Sequence, residues 1–138
     1  MRRRRKANQT AKTAALYGCG IDVVELARFR RALEHGGKAF MRRVFTEKEQ
    51  AYARQRRHTT LLHLAARFAA KEAIIKAMGQ VDPRRVPPLN KIEIYNDEMG
   101  RPHVTFLDGR IHKMRIHISL SHVPSVAVAS AFAIRGKS

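Results

Sequence analysis

Residues 60–78 read TLLHLAARFAAKEAIIKAM, and their apolar positions Leu61, Leu64, Ala65, Phe68, Ala69 and Ile75 recur at the three- and four-residue steps of one helix face. The spacing predicts the longest helix of the chain, a central core helix with Gly79 as its stop. Upstream, Thr46 and Glu49 form a capping-box pair that opens a shorter helix. Before it, Leu26, Phe29 and Leu33 predict a helix over residues 25–35, halted by Gly36 and Gly37, whose exposed face carries Arg28, Arg30 and Arg31. Residues 17–24, YGCGIDVV, are rich in β-branched residues and glycine and read as a strand. Downstream of a connector holding Pro83, Pro87 and Pro88, residues 91–107 read as a hairpin about the turn at 96–100. Residues 115–122 and 126–134 read as two further strands flanking Val123, Pro124 and Ser125. Strand, helices, then strands is an α+β order: a single domain with an antiparallel sheet packed with helices. No repeat of solenoid period interrupts it.

At 138 residues the chain has room for one such core. Lys and Arg number 28 against 11 Asp and Glu, a formal net charge of +17, which calls for an anionic partner without specifying a fold. Cys19 is the only cysteine, so an internal disulfide and a cysteine-based zinc site are both excluded, and a reducing, cytoplasmic setting is expected. No apolar run follows the first arginines, so no secretory signal is read. Residues 116–134 lack formal charges but alternate and contain Pro124, which makes them a hairpin and not a membrane helix. Residues 1–16 carry six basic residues and no acidic ones, and are expected to be a flexible basic tail, a targeting segment or nucleic-acid arm being the alternatives. The folded domain is then residues 17–138.

Two carboxylates stand out. Asp22 interrupts an apolar strand between Ile21 and Val23, and its side chain leaves the sheet on the face opposite theirs. Glu72 lies one turn beyond Phe68 and one turn before Lys76, close to the apolar face of the long helix. Each has a plain structural alternative: a strand-end carboxylate that caps the next helix, and a solvated Glu-to-Lys pair worth about 0.3–0.5 kcal/mol. Two carboxylates on separate rigid elements among basic residues suit magnesium, which completes its ligand shell with phosphate oxygens and water. Zinc is disfavoured, because His117 and His122 fall on opposite faces of one strand. No Walker loop or dinucleotide fingerprint is present.

Four motifs in order, GIDVVEL (residues 20–26), RFAAKEA (67–73) with Lys76 and Gly79, NDEMGRP (96–102) and HISLSH (117–122), resemble the holo-(acyl-carrier-protein) synthases. These are the small bacterial class of 4'-phosphopantetheinyl transferases, and the resemblance spans residues 17–134. It implies their fold and their reaction: transfer of the phosphopantetheine arm of coenzyme A to a serine of an acyl carrier protein, releasing adenosine 3',5'-bisphosphate, in fatty acid biosynthesis. It implies magnesium on Asp22 and Glu72, with Lys76 neutralising charge on the leaving phosphate. Glu72 or a metal-bound water takes the serine proton. Arg67 and His117 match positions near the coenzyme A nucleotide. The basic helix, with Arg28, Arg30 and Arg31, and the nearby Arg42 and Arg43 would face an acidic carrier protein. One departure is plain: relatives continue Gly-Thr-Gly after the long helix where this chain has Gly79, Gln80 and Val81.

An RNA-binding module is the competing class, but the chain has no Trp, and its Tyr and Phe fall mostly on apolar stripes. A magnesium-dependent nuclease would share Asp22 and Glu72 without needing the basic helix. Neither a nucleic-acid nor a membrane partner is expected. The relatives form homotrimers with active sites shared between neighbours. Residues 126–134, apolar on both faces, fit an oligomer independently, since an antiparallel sheet with one solvated face needs only one.

Overall fold

The computed structural model describes residues 15–108 and 114–136, so the expected basic tail lies outside the described residues except for its last two. Strand β1 (Tyr17–Glu25) leads into helix α1 (Leu26–Val44), followed by α2 (Glu47–Arg54) and α3 (Thr60–Val81). Two short 3-10 turns then precede β2 (Ile92–Asn96), β3 (Pro102–Phe106), β4 (Met114–Val123) and β5 (Val126–Arg135). The architecture is α+β, as the element order implied. Among the described residues the strands divide into a three-stranded antiparallel sheet, β1-β5-β4, and a separate β2-β3 hairpin.

Alternation along β5 decides how helix meets sheet. Ala127, Ala129, Ala131 and Ala133 are buried, and α3 packs over them and over β1. Small residues let the helix approach closely. A Cβ added to Gly20 would come within 2.0 Å of the Ala73 carbonyl oxygen, and one added to Gly18 within 1.9 Å of that of Ala77. The helix answers with its own alanines: Ala65, Ala66, Ala69, Ala70, Ala73 and Ala77 are all buried. It is therefore enclosed on most sides through its middle, with the sheet on one flank and α1 and α2 on others, where the sequence suggested a single stripe.

Two expected helix ends move. The chain does depart from helical geometry at Gly37, whose φ of 53° suits glycine, but helix resumes at once and runs to Val44. Phe40, just past the kink, packs with Phe29 and Phe68, which rewards the continuation. Gly79 does not stop α3. The helix runs to Val81, where Asp82 caps the following turn and Pro83 ends the run. The added turn is tied to β1, because the Cys19 amide donates to the Gln80 side-chain oxygen at 2.9 Å.

The capping box at α2 forms as read, and Glu49 does more than close it. Its carboxylate accepts from the Thr46 amide, from the Ile94 amide and from Lys71 Nζ. Lys71 is fully buried and also donates to the carbonyls of Val44 at 2.6 Å and Leu89 at 3.0 Å. All three ammonium protons have acceptors, so one side chain joins α1, α2, α3 and the turn before β2.

Candidate active site

Asp22 pairs across the sheet with Ala129, which is buried under α3, so its carboxylate faces the helix. Ile21 and Val23, on the other face, are 63% and 61% exposed, as the alternation required. On α3, Glu72 comes to the same place. Both carboxylates line an open cleft of about 620 Å3, walled on its far side by Arg28, Phe29, Ala32 and Phe40 of α1 and floored by Phe68. Two anions side by side, one half-buried, are costly. Glu72 is held above the usual carboxylate range first by burial and then by the charge of Asp22, with Lys76 pulling the other way.

Lys76 does not make the Glu-to-Lys pair that its spacing suggested. It crosses to β1, donating to Asp22 Oδ1 at 3.1 Å and to the Ile21 carbonyl at 2.9 Å. Glu72 makes no ion pair among the described residues. Its oxygens and those of Asp22 are hard donors, and the protein cation beside them is Lys76, held on Asp22 Oδ1. No group of three or more His, Cys, Asp or Glu gathers among the described residues, so a metal here would have two protein ligands.

Arg67 is 3% exposed, which removes the surface-arginine alternative. It does not line the Asp22–Glu72 cleft. Its guanidinium lies 4.2 Å from the Tyr52 ring centroid, with Arg56 at 3.5 Å. Its Nε is buried with no hydrogen-bond partner, and burial lowers its pKa.

His117 is the residue that one chain fails to bring in. It pairs with Phe132, which is 43% exposed, on the sheet face turned away from α3. There it lines a shallow depression with Cys19, Ile21, Ser119, Ser130 and Phe132. This face is open: Tyr17, Ile21, Val23, Val123 and Phe132 are exposed, and among the described residues no helix covers it.

Arg28 stands at the cleft, while Arg30 and Arg31 are exposed on α1. Arg42 and Arg43 are exposed in its last turn, beyond the Gly37 kink. Sequence reasoning missed Lys71 and the pairing of Arg67 with Tyr52. The signal for Lys71 was its place on a helix otherwise read as core.

Comparison with known proteins returns one family. The model of the 4'-phosphopantetheinyl transferase superfamily matches residues 18–131. A holo-(acyl-carrier-protein) synthase of Clostridium tetani is 41% identical over 122 residues, covering 83% of this chain and 92% of the relative. One from Chlorobaculum parvum is 43% identical over 114 residues, covering 81% and 93%. Among solved structures, the Bacillus anthracis synthase in complex with CoA (3',5'-ADP) superposes with a TM-score of 0.70 at 32% identity, covering 86% of this chain and 96% of that one. The Neisseria meningitidis synthase gives 0.74 at 30% identity, covering 86% and 98%.

Proposed function

Because this chain belongs to the 4'-phosphopantetheinyl transferase superfamily, we propose that its Asp22–Glu72 cleft transfers phosphopantetheine from coenzyme A to a serine of an acyl carrier protein, releasing adenosine 3',5'-bisphosphate. The observation that carries the reading is the convergence of Asp22 from β1 and Glu72 from α3 beside Lys76. The transfer breaks the phosphoanhydride bond on the pantetheine side and forms a serine phosphodiester, so the chain's task is to position reactants and offset negative charge.

The donor set fits magnesium. It offers two carboxylates and needs the remaining oxygens from a diphosphate and water, and when bound the ion supplies charge neutralisation at the coenzyme A pyrophosphate. Asp22 and Glu72 would hold it. Glu72, or a water held beside it, would take the serine proton. Lys76, half-exposed and paired with Asp22, would place an ammonium near the charge that builds on the leaving phosphate. Arg67, with its unpartnered Nε, and Arg56 stack on Tyr52 as an anion-binding pair for the nucleotide end of coenzyme A.

The acidic carrier protein docks on α1 through Arg28, Arg30 and Arg31, with Arg42 and Arg43 at the far end. Ten basic and three acidic residues lie between positions 28 and 57. His117 serves coenzyme A from a neighbouring subunit. The open apolar sheet face supports this, since burying it in a homotrimer lets the His117 face of one copy meet the cleft of another. The setting we infer is the cytoplasm, in fatty acid biosynthesis. Among the described residues no helix is long and apolar enough to cross a membrane.

The test is a mass measurement: an apo carrier protein incubated with coenzyme A, magnesium and this protein gains one phosphopantetheine. An unchanged carrier mass refutes the function.

A further inference from the structure

Lys76 presents a conflict that the proposed chemistry must resolve. Its ammonium sits 3.1 Å from Oδ1 of Asp22, a carboxylate assigned to a divalent cation. The Asp22 side chain is 19% exposed and fixed on β1 beneath α3, whereas that of Lys76 is 52% exposed. The lysine can therefore leave without unpacking the core, and the aspartate cannot follow it. Oδ2 of Asp22 carries no hydrogen bond among the described residues, so a cation has a way onto the carboxylate while Lys76 still holds Oδ1. Two cations on one carboxylate repel each other, and a divalent ion a few ångströms from an ammonium raises the penalty. The coupling is reciprocal: whatever the lysine costs the metal, the metal costs the lysine.

We propose that Lys76 and the divalent cation are antagonists at Asp22. The lysine holds the carboxylate until the cation arrives, and the cation then drives the ammonium off Asp22. A second bond, to the Ile21 carbonyl at 2.9 Å, keeps the released ammonium on β1 next to Asp22. Lys76 thereby shields Asp22 and Glu72 from each other before substrate binds and supplies free positive charge afterwards. The opposite account is that Lys76 merely ties β1 to α3. In that case removing it would loosen Asp22 and weaken the metal.

The inference rests on Asp22 and Glu72 as metal ligands, and the experiment separates the two claims. Mn2+ is titrated into the coenzyme A-free protein, with free Mn2+ read by electron paramagnetic resonance, for wild type, Asp22→Asn, Lys76→Met and Lys76→Arg. Circular dichroism confirms each fold. Lys76→Met should bind Mn2+ about tenfold more tightly than wild type, because a like charge a few ångströms away is gone. Lys76→Arg, which keeps the charge, should stay within about twofold, and Asp22→Asn should lose about tenfold or more. Lys76→Met binding no more tightly than wild type, with Asp22→Asn impaired, overturns the antagonism and leaves the metal site standing. Asp22→Asn matching wild type, or no binding by wild type and Lys76→Met alike, overturns both. Should Lys76→Met fail to fold, Lys76→Gln removes the same charge and is read the same way.

Discussion

Glu72 is placed for chemistry at a cost to stability. Burial first, and Asp22 second, raise its carboxyl pKa in the folded chain. The folded state thus binds that proton more tightly than the unfolded state, and ionisation works against folding. The cost is absent below the unfolded value, grows as pH rises towards the folded value, and stays constant above it. Without divalent cations, Glu72→Gln should therefore melt above wild type at about pH 8, with the difference fading below about pH 4. The same variant, and Asp22→Asn, should lose turnover by about a hundredfold or more, since each removes an anionic ligand from a site with few. A thermal-melt series in EDTA and a carrier-modification assay check the two halves. The sequence exposed Asp22 and Glu72 as carboxylates in apolar settings, and β alternation placed Asp22 correctly. It could not show that Lys76 reaches across to β1, because spacing along one helix says nothing of a partner 54 positions away.

At the scale of elements, the cleft depends on how closely β1 lies against α3. Gly20 makes that contact possible, and Gly20→Ala must push strand and helix apart, since its Cβ would meet the Ala73 carbonyl oxygen at 2.0 Å. Both melting temperature and turnover should fall, because Asp22 moves with the strand. The Lys71–Glu49 node behaves differently. Lys71→Met strands Glu49 without its cation in the core, an expected loss of about 3–5 kcal/mol, whereas Lys71→Met combined with Glu49→Gln should recover part of it, because the charge is gone and the amide oxygen still accepts from a backbone amide. Denaturant melts of the single and double variants measure this, and a double variant no better than the single one would contradict it. The capping box and the hairpin were legible because their signals are local. The extension of α1 past Gly37 was not, because it is rewarded by Phe40 packing on Phe29 and Phe68, a contact between elements. Gly79 misled for a related reason: glycine is an optional stop, and Pro83 with Asp82 decides the end of α3.

For the whole molecule, charge and the uncovered sheet face set the expectations. If α1 docks the carrier, Arg30→Glu with Arg31→Glu, both exposed and outside the cleft wall, should raise KM for carrier protein and leave that for coenzyme A nearly unchanged. The effect should shrink with added salt, because exposed charges are screened over about 8 Å at physiological ionic strength. Steady-state kinetics at two ionic strengths decide the point. The open face was anticipated from residues 126–134, yet the sequence could not show that His117 shares it while Asp22 and Glu72 lie on the other side. One chain therefore holds the two halves of the proposed site on opposite faces of one sheet, and the account requires a second copy to join them. Complementation tests this most directly. Asp22→Asn and His117→Ala chains, each impaired alone, are unfolded together and refolded into mixed oligomers, and transfer to carrier protein is measured. The account predicts that activity returns in the mixture, because some interfaces pair an intact cleft with an intact His117. A mixture no more active than the mean of its parents, although native mass spectrometry shows trimers containing both chains, would contradict it.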